Sequence, residues 1–230
     1  MFWDGLVEEA PRFFGYYNLI FLGQAFLNTL SLSVIGTFAG FALGAALAIM
    51  RLPRLVPFAP ARIAAIGYVE LFRRIPFLVK LMCVFFAFQL AGAKVSMFAV
   101  ALTTVILSAT AFAAEIVRAG LEAVHRNQWD AAEAMNFGPA RTLGLVLLPQ
   151  AWRVILPPSF SFVIGFIKST SIASQIGVLE LTYAAKVLNT KGFSAFLCFG
   201  TILVLYFLVC WPTKLIGEHL ERRLAPARSR

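Results

Sequence analysis

Few residues of this chain could carry out bond-making chemistry. Its two histidines, His125 and His219, are far apart, and its three cysteines, Cys83, Cys198 and Cys210, lie in apolar runs without Cys-x-x-Cys or Cys-x-x-His spacing. The cysteines read as small buried hydrophobes and the histidines as solvated residues. No Gly-x4-Gly-Lys-Ser/Thr phosphate loop is present, so the chain cannot hydrolyse ATP by that route. The expectation is a protein with no catalytic residue, no metal and no cofactor of its own. What remains is charge set in apolar surroundings: Arg73, Arg74 and Lys80 in one segment, Lys168 in another, and the carboxylates Glu70, Glu115 and Glu180. A central cation costs roughly 2.5–3.5 kcal/mol to place in a bilayer, so such residues usually face a cavity or a partner; the alternative for Arg73 and Arg74 is the inner interface, beside lipid phosphate. The chemistry they offer is recognition of charge.

The elements that must position them are membrane spans. The chain has 230 residues, 60% of them hydrophobic and 13% charged, with mean hydropathy +0.82. An ordinary soluble domain is about 45–50% apolar and about 25% charged. That excludes a soluble enzyme, a disordered chain and a disulfide scaffold. The net charge of +9 points to loops obeying the positive-inside rule and not to nucleic acid. The N-terminus lacks the basic region of a signal peptide, so a later hydrophobic segment is expected to do the targeting.

No charge occurs between Arg12 and Arg51. That run predicts one long helix from about Leu22 to Met50, preceded by an aromatic collar of Phe13, Phe14, Tyr16 and Tyr17 at the outer interface. Gly36, Gly40 and Gly44 recur every fourth residue and let another backbone approach one face. Further apolar runs give an all-α integral membrane protein with about five crossings, near 22–50, 66–91, 95–118, 152–172 and 193–216. With the C-terminus inside, twelve basic residues are cytoplasmic (Arg51, Arg54, Arg62, Arg118, Arg126, Arg141, Arg153, Lys214, Arg222, Arg223, Arg228 and Arg230). Four, Arg12, Lys94, Lys186 and Lys191, are outside. The expected orientation is N-out, C-in. The organisation predicted is an N-terminal periplasmic or interfacial segment (1–21), a transmembrane domain (22–220) with a cytoplasmic loop at about 122–150, and a basic tail (221–230).

That loop, between the third and fourth crossings, is the most informative region. Asn127 suits an N-cap and Asp130 the first turn. Ala131, Ala132 and Ala134 favour helix. Asn136 can take the left-handed conformation that ends one, and Gly138-Pro139 turns the chain into the next. The spacing predicts a short helix near 128–136 with a small-residue face beside Trp129.

Asp130-Ala131-Ala132, three residues, Asn136, nine residues, then Val146-Leu147-Leu148-Pro149 resembles the EAA motif of ABC-importer permeases, Glu-Ala-Ala-x3-Gly-x9-Ile-x-Leu-Pro. The spacing is intact; Asp130, Asn136 and Val146 replace Glu, Gly and Ile. Residues 70–80, Ala114–Gly120, Lys168-Ser169-Thr170-Ser171 and Gly177–Thr182 are similar to the polar amino-acid uptake subfamily. The resemblance covers about residues 20–220. It implies a five-helix permease subunit of a bacterial inner membrane, multi-pass and surrounded by lipid. It would pair with a second permease, the same chain or a sister, and with two ATP-binding subunits that bind the ATP. A periplasmic binding protein would deliver the substrate. It assigns Trp129, Asp130, Ala131, Ala132, Asn136 and Pro149 to coupling with the ATPase.

The substrate pathway is expected at Arg74, Pro76, Lys80, Lys168, Ser169, Thr170 and Ser171. Arg73 and Lys80, seven residues apart, would share a helical face, and Pro76 frees a backbone carbonyl. Relatives usually read Arg-Gly/Asn-Thr-Pro-Leu-Leu-Val-Gln and Lys-Asp-Thr-Ser at these segments. Here Arg74, Lys80 and Ser169 replace Gly/Asn, Gln and Asp, and Ile75 replaces Thr. A more cationic pathway would favour an acidic amino acid or an opine-like conjugate. Loss of the Thr leaves open a non-binding half of a heterodimer. Two other classes remain at this point: a secondary transporter or channel using Glu70, Glu115 and Glu180 as ion sites, and a membrane scaffold without transport.

Overall fold

The structure is a computed structural model and describes residues 2–224. Residues 225–230 of the expected basic tail, with Arg228 and Arg230, lie outside the described residues. The all-α expectation holds: among the described residues there are helices and turns and no strand. In chain order the helices are α1 (Phe2–Phe13), α2 (Tyr16–Met50), α3 (Ala59–Arg74), α4 (Phe77–Leu90), α5 (Met97–Glu122), α6 (Arg126–Ala134), α7 (Pro139–Arg141), α8 (Leu148–Ser169), α9 (Leu181–Thr190) and α10 (Ala195–Leu224). A π-helical turn, Thr142–Leu147, joins α7 to α8, and a 3-10 segment, Thr170–Ile176, follows α8.

Among the described residues, four helical runs are long and apolar enough to cross a membrane: Tyr16–Met50, Met97–Glu122, Pro139–Ile176 and Ala195–Leu224. The crossing expected at 66–91 is not one helix. Pro76 forces the residue before it out of the helical region, and Ile75 is extended at φ −85° and ψ 132°. α3 therefore stops at Arg74, and α4 restarts with 14 residues. At 1.5 Å per residue α4 is roughly 21 Å long, short of the roughly 30 Å hydrocarbon core. Arg73 and Lys80 consequently do not share a helical face. The first crossing also begins earlier than expected, at Tyr16.

The chain divides into two compact units. One comprises residues up to Gly36, Phe77–Val105 and Gly165–Pro212. Its core gathers Leu22, Ala25, Leu181, Ala184, Ala185, Leu188 and Cys198, with a second cluster of Leu32, Leu81, Ala101, Ala173 and Val178. Phe13, expected in an interfacial collar, is wholly buried in the first cluster and meets Phe193 edge-on with centroids 5.4 Å apart. Phe14, Tyr16 and Tyr17 are exposed. Apolar contact thus wins over the interface for the one ring that can reach the core.

The other unit comprises Thr37–Pro76, Ile106–Ile164 and the chain from Thr213. Its core joins Ala48, Leu52, Val117, Leu121, Leu147, Ala151 and Ile155. Here the glycine spacing of α2 serves its expected purpose. A Cβ on Gly44 would lie 2.6 Å from the Thr110 carbonyl oxygen and 2.8 Å from the Ala114 nitrogen, and one on Gly40 would meet the Ala109 side chain. Only glycine lets α2 lie this close to α5.

Candidate functional site

α6 is built by local chemistry. His125, not the expected Asn127, is its N-cap: the His125 imidazole accepts from the Asn127 backbone N–H at 3.2 Å. Asn127 is already inside the first turn, so its N–H is one of those that need a side-chain acceptor. The C-terminus closes as expected. Asn136 takes φ +57°, a conformation that asparagine tolerates. The Phe137 N–H reaches back to the Ala132 carbonyl and the Asn136 N–H to the Glu133 carbonyl, both at 2.9 Å. Gly138 then caps α7, with Pro139 at its first position.

The two alanines of the motif have different surroundings. Ala131 is exposed, and Ala132 is completely buried, with α6 packed on the π turn. The small-residue face expected to be open to a partner is therefore open at Ala131 only. Ala132 serves the chain's own packing. Trp129 is half-buried against the core of its unit. Arg54 holds Asp130, with Nη1 3.3 Å from Oδ1, and its guanidinium lies 5.8 Å over the Trp129 ring. Arg126 reaches the other carboxylate oxygen at 3.7 Å. Asp130 and Ala131 form an exposed patch whose geometry is held by Arg54 and Trp129.

Pro149 is the exposed second residue of α8. Its ring cannot donate and would clash with the carbonyl one turn back. The preceding turn is widened to π geometry, with the Leu148 N–H bonded to the Leu143 carbonyl five residues back. α8 continues through Pro157 and Pro158.

Next to this region lies an ion-pair node that the sequence reading did not assemble. Arg51 and Arg73 approach Oε2 of Glu115 at 2.9 and 3.5 Å, and Arg118 pairs with Oε1 of Glu115 and with Glu122. The only sequence signal was Glu115 and Arg118 a turn apart. Arg51 and Arg73 join through tertiary structure.

The expected pathway residues are placed as follows. Arg74 is exposed and pairs with Glu70 at 2.5 Å one turn away, the type of surface pair worth about 0.3–0.5 kcal/mol. Pro76 is the break before α4. Lys80 is 6% exposed, with its ammonium 5.9 Å from the Phe77 ring. Lys168 is exposed in the last turn of α8, where the helix dipole favours a cation. The three hydroxyls that follow bind their own backbone: Ser169 to the Gly165 carbonyl, Thr170 to Ile167 and Ser171 to Lys168, at 2.9, 2.7 and 2.7 Å. They stabilise the change from α to 3-10 geometry. Arg74 and Pro76 belong to one compact unit, Lys80 and residues 168–171 to the other.

Glu180 is wholly buried as the N-cap of α9. Its carboxylate accepts from the Thr182 and Tyr183 N–H groups at 2.9 and 2.7 Å and from the Tyr206 hydroxyl at 2.9 Å. Burial pushes its carboxyl above the ordinary range, against the pull of these donors. The loop before it is held by Asn28, whose side-chain amide donates to the Leu179 carbonyl at 2.8 Å. Glu70, Glu115 and Glu180, the three carboxylates that a secondary transporter or channel could use, are thus all engaged in internal pairs or caps.

Comparison with known proteins agrees with this geometry. The profile of the binding-protein-dependent transport system inner membrane component family matches residues 40–226. The probable glutamine ABC transporter permease protein GlnP of Bacillus subtilis (strain 168) is 32% identical over 217 residues, covering 92% of this chain and 98% of that one. The L-cystine transport system permease protein TcyB of the same organism is 33% identical over 190 residues, covering 82% and 81%. A crystal structure of an amino acid ABC transporter with histidines superposes with TM-score 0.80 at 26% identity, covering 95% of this chain and 97% of that chain. The chain belongs to the binding-protein-dependent transport system inner membrane component family, as an ABC-transporter permease.

Proposed function

We propose that this chain is the membrane-spanning subunit of an ATP-driven importer of amino acids. The observation that carries the reading is α6: a short, capped helix that exposes Asp130 and Ala131 at motif spacing and is braced by Arg54 and Trp129. Such a helix can seat in a groove of a separate ATP-binding subunit. A rigid body with a small exposed residue permits close approach, and the bracing passes movement inward instead of absorbing it. α6 continues through Asn136, Pro139 and the π turn into α8, so a push on α6 is a push on a crossing. Two ATP-binding subunits, a second permease and a periplasmic binding protein complete the importer in a bacterial inner membrane. The N-terminus is outside and the loop around α6 in the cytoplasm. Nothing in the chain's own chemistry hydrolyses ATP.

Amino acids as the substrate class follow from relatives that are named for glutamine and L-cystine. Within that class, Lys80 and Lys168 support an acidic or opine-like substrate. Lys80 is held away from water, where a carboxylate is attracted strongly and screened weakly. Purification in mild detergent tests the reading: a soluble ATP-binding protein comes down with the chain, and its absence from gently solubilised complex refutes it.

A further inference from the structure

On the permease reading above, we propose that Glu115 is a positioning residue of the coupling machinery. It gathers the ends of α2, α3 and α5 onto one carboxylate, so that a displacement of α6 reaches all three together. Arg51 is the first residue past α2, Arg73 is the penultimate residue of α3, and Arg118 lies one turn beyond Glu115 in α5. Oε2 of Glu115 takes Arg51 at 2.9 Å and Arg73 at 3.5 Å, and Oε1 takes Arg118. Arg73 also lies 5.8 Å over the Phe112 ring, one turn before Glu115 on the same helix. The side chains of Arg51 and Glu115 are 10% and 22% exposed, so water screens that pair poorly, whereas Arg73, at 38%, lies at the exposed edge of the node.

The node reaches α6 through the turn that follows α2. That turn is closed by backbone bonds from Leu55 and Val56 to the Leu52 carbonyl at 3.0 and 2.9 Å. It holds Arg51 at one end and Arg54, which grips Asp130 and covers Trp129, near the other. Two charge contacts, Asp130–Arg54 and Arg51–Glu115, are thus joined by one hydrogen-bonded turn that leads from α6 to the ends of three helices. It runs apart from the covalent route through Asn136 and the π turn into α8. Three guanidiniums share two carboxylates here, Glu115 and Glu122. Removing the Glu115 charge leaves Arg51 and Arg73 without their anion and opens the node by repulsion.

The test uses the purified permease–ATPase complex in vesicles with its binding protein, and reads ATP hydrolysed per substrate transported. Glu115→Gln keeps shape and an acceptor oxygen but loses the charge. The expected result is assembly at wild-type yield with that ratio raised about 5-fold or more, and partial recovery in Glu115→Asp. A purely structural role would lower hydrolysis and uptake together. An unchanged ratio, with or without a common loss, overturns the proposal. If Glu115→Gln does not assemble, Arg73→Gln at the exposed edge of the node is measured instead, and the same two outcomes decide. A failure of the permease reading itself would be seen earlier, as a wild-type chain that brings down no ATPase.

Discussion

Asp130 and Arg54 stand 3.3 Å apart, and the same guanidinium covers Trp129. One residue of α6 is thereby fixed to the turn that ends the first membrane crossing. This pair, exposed on both sides, contributes little to stability by itself. Its effect is on geometry: it links α6 to the turn that follows α2.

Ala131 and Ala132 are adjacent and should respond differently to the same change. Ala131→Arg is expected to leave the thermal midpoint of the permease near wild type while abolishing co-purification with the ATP-binding subunit. Ala132→Arg forces a long charged side chain into a filled site and should destabilise the permease by about 1–3 kcal/mol or more. Thermal unfolding in detergent, beside a pull-down, checks both. Equal loss of stability in the two variants would contradict the assigned faces.

Gly44 sets the approach of α2 to α5. Gly44→Leu should cost about 1–3 kcal/mol or more by overpacking, seen as early unfolding or a loss of folded protein in detergent. Gly23→Leu serves as the control, because nothing lies within 4 Å of a Cβ at that position, and it should remain near wild type.

Lys80→Gln removes a buried cation with little change in side-chain length. Losing one partner of a buried charge pair costs about 2–5 kcal/mol, so uptake of a dicarboxylate amino acid should fall at least tenfold relative to a neutral one. Substrate-free ATP hydrolysis should stay as in wild type, since α6 is untouched. An unchanged ranking of acidic, neutral and basic amino acids would remove Lys80 from the pathway and leave the permease assignment standing.

Topology follows from the distribution of basic residues. A reporter active only in the periplasm should work when fused near Lys191 and fail near Arg141. The reverse pattern would contradict the N-out, C-in orientation.

The legible features were those that depend on a few neighbouring residues. The left-handed Asn136, Pro139 at the start of α7 and the glycine spacing of α2 are determined by local backbone sterics, and all three stand where the sequence put them. Pro76 was read as a disturbance of a single crossing. In the structure it separates two helices, because it holds Ile75 in the extended region and so ends α3 at Arg74. What depended on distant partners was not legible. The burial of Ala132 requires the π turn to fold back on α6. The node around Glu115 draws Arg51 and Arg73 from points 64 and 42 residues away in the sequence, and no periodicity relates them. Glu180 reads from the sequence as a carboxylate in apolar surroundings, and its donors come from the next turn and from Tyr206 on α10. The charge count gave the class of protein at once, but the pairing of those charges is a property of the fold.

The most direct measurement is uptake of labelled amino acids by vesicles that hold the permease with its co-purified ATP-binding subunit and are supplied with the binding protein outside. Uptake should require ATP inside the vesicle and should be lost when Ala131→Arg permease is inserted and the ATP-binding subunit from the wild-type complex is enclosed with it. Uptake that proceeds without the ATP-binding subunit, driven by an ion or proton gradient alone, would contradict the account.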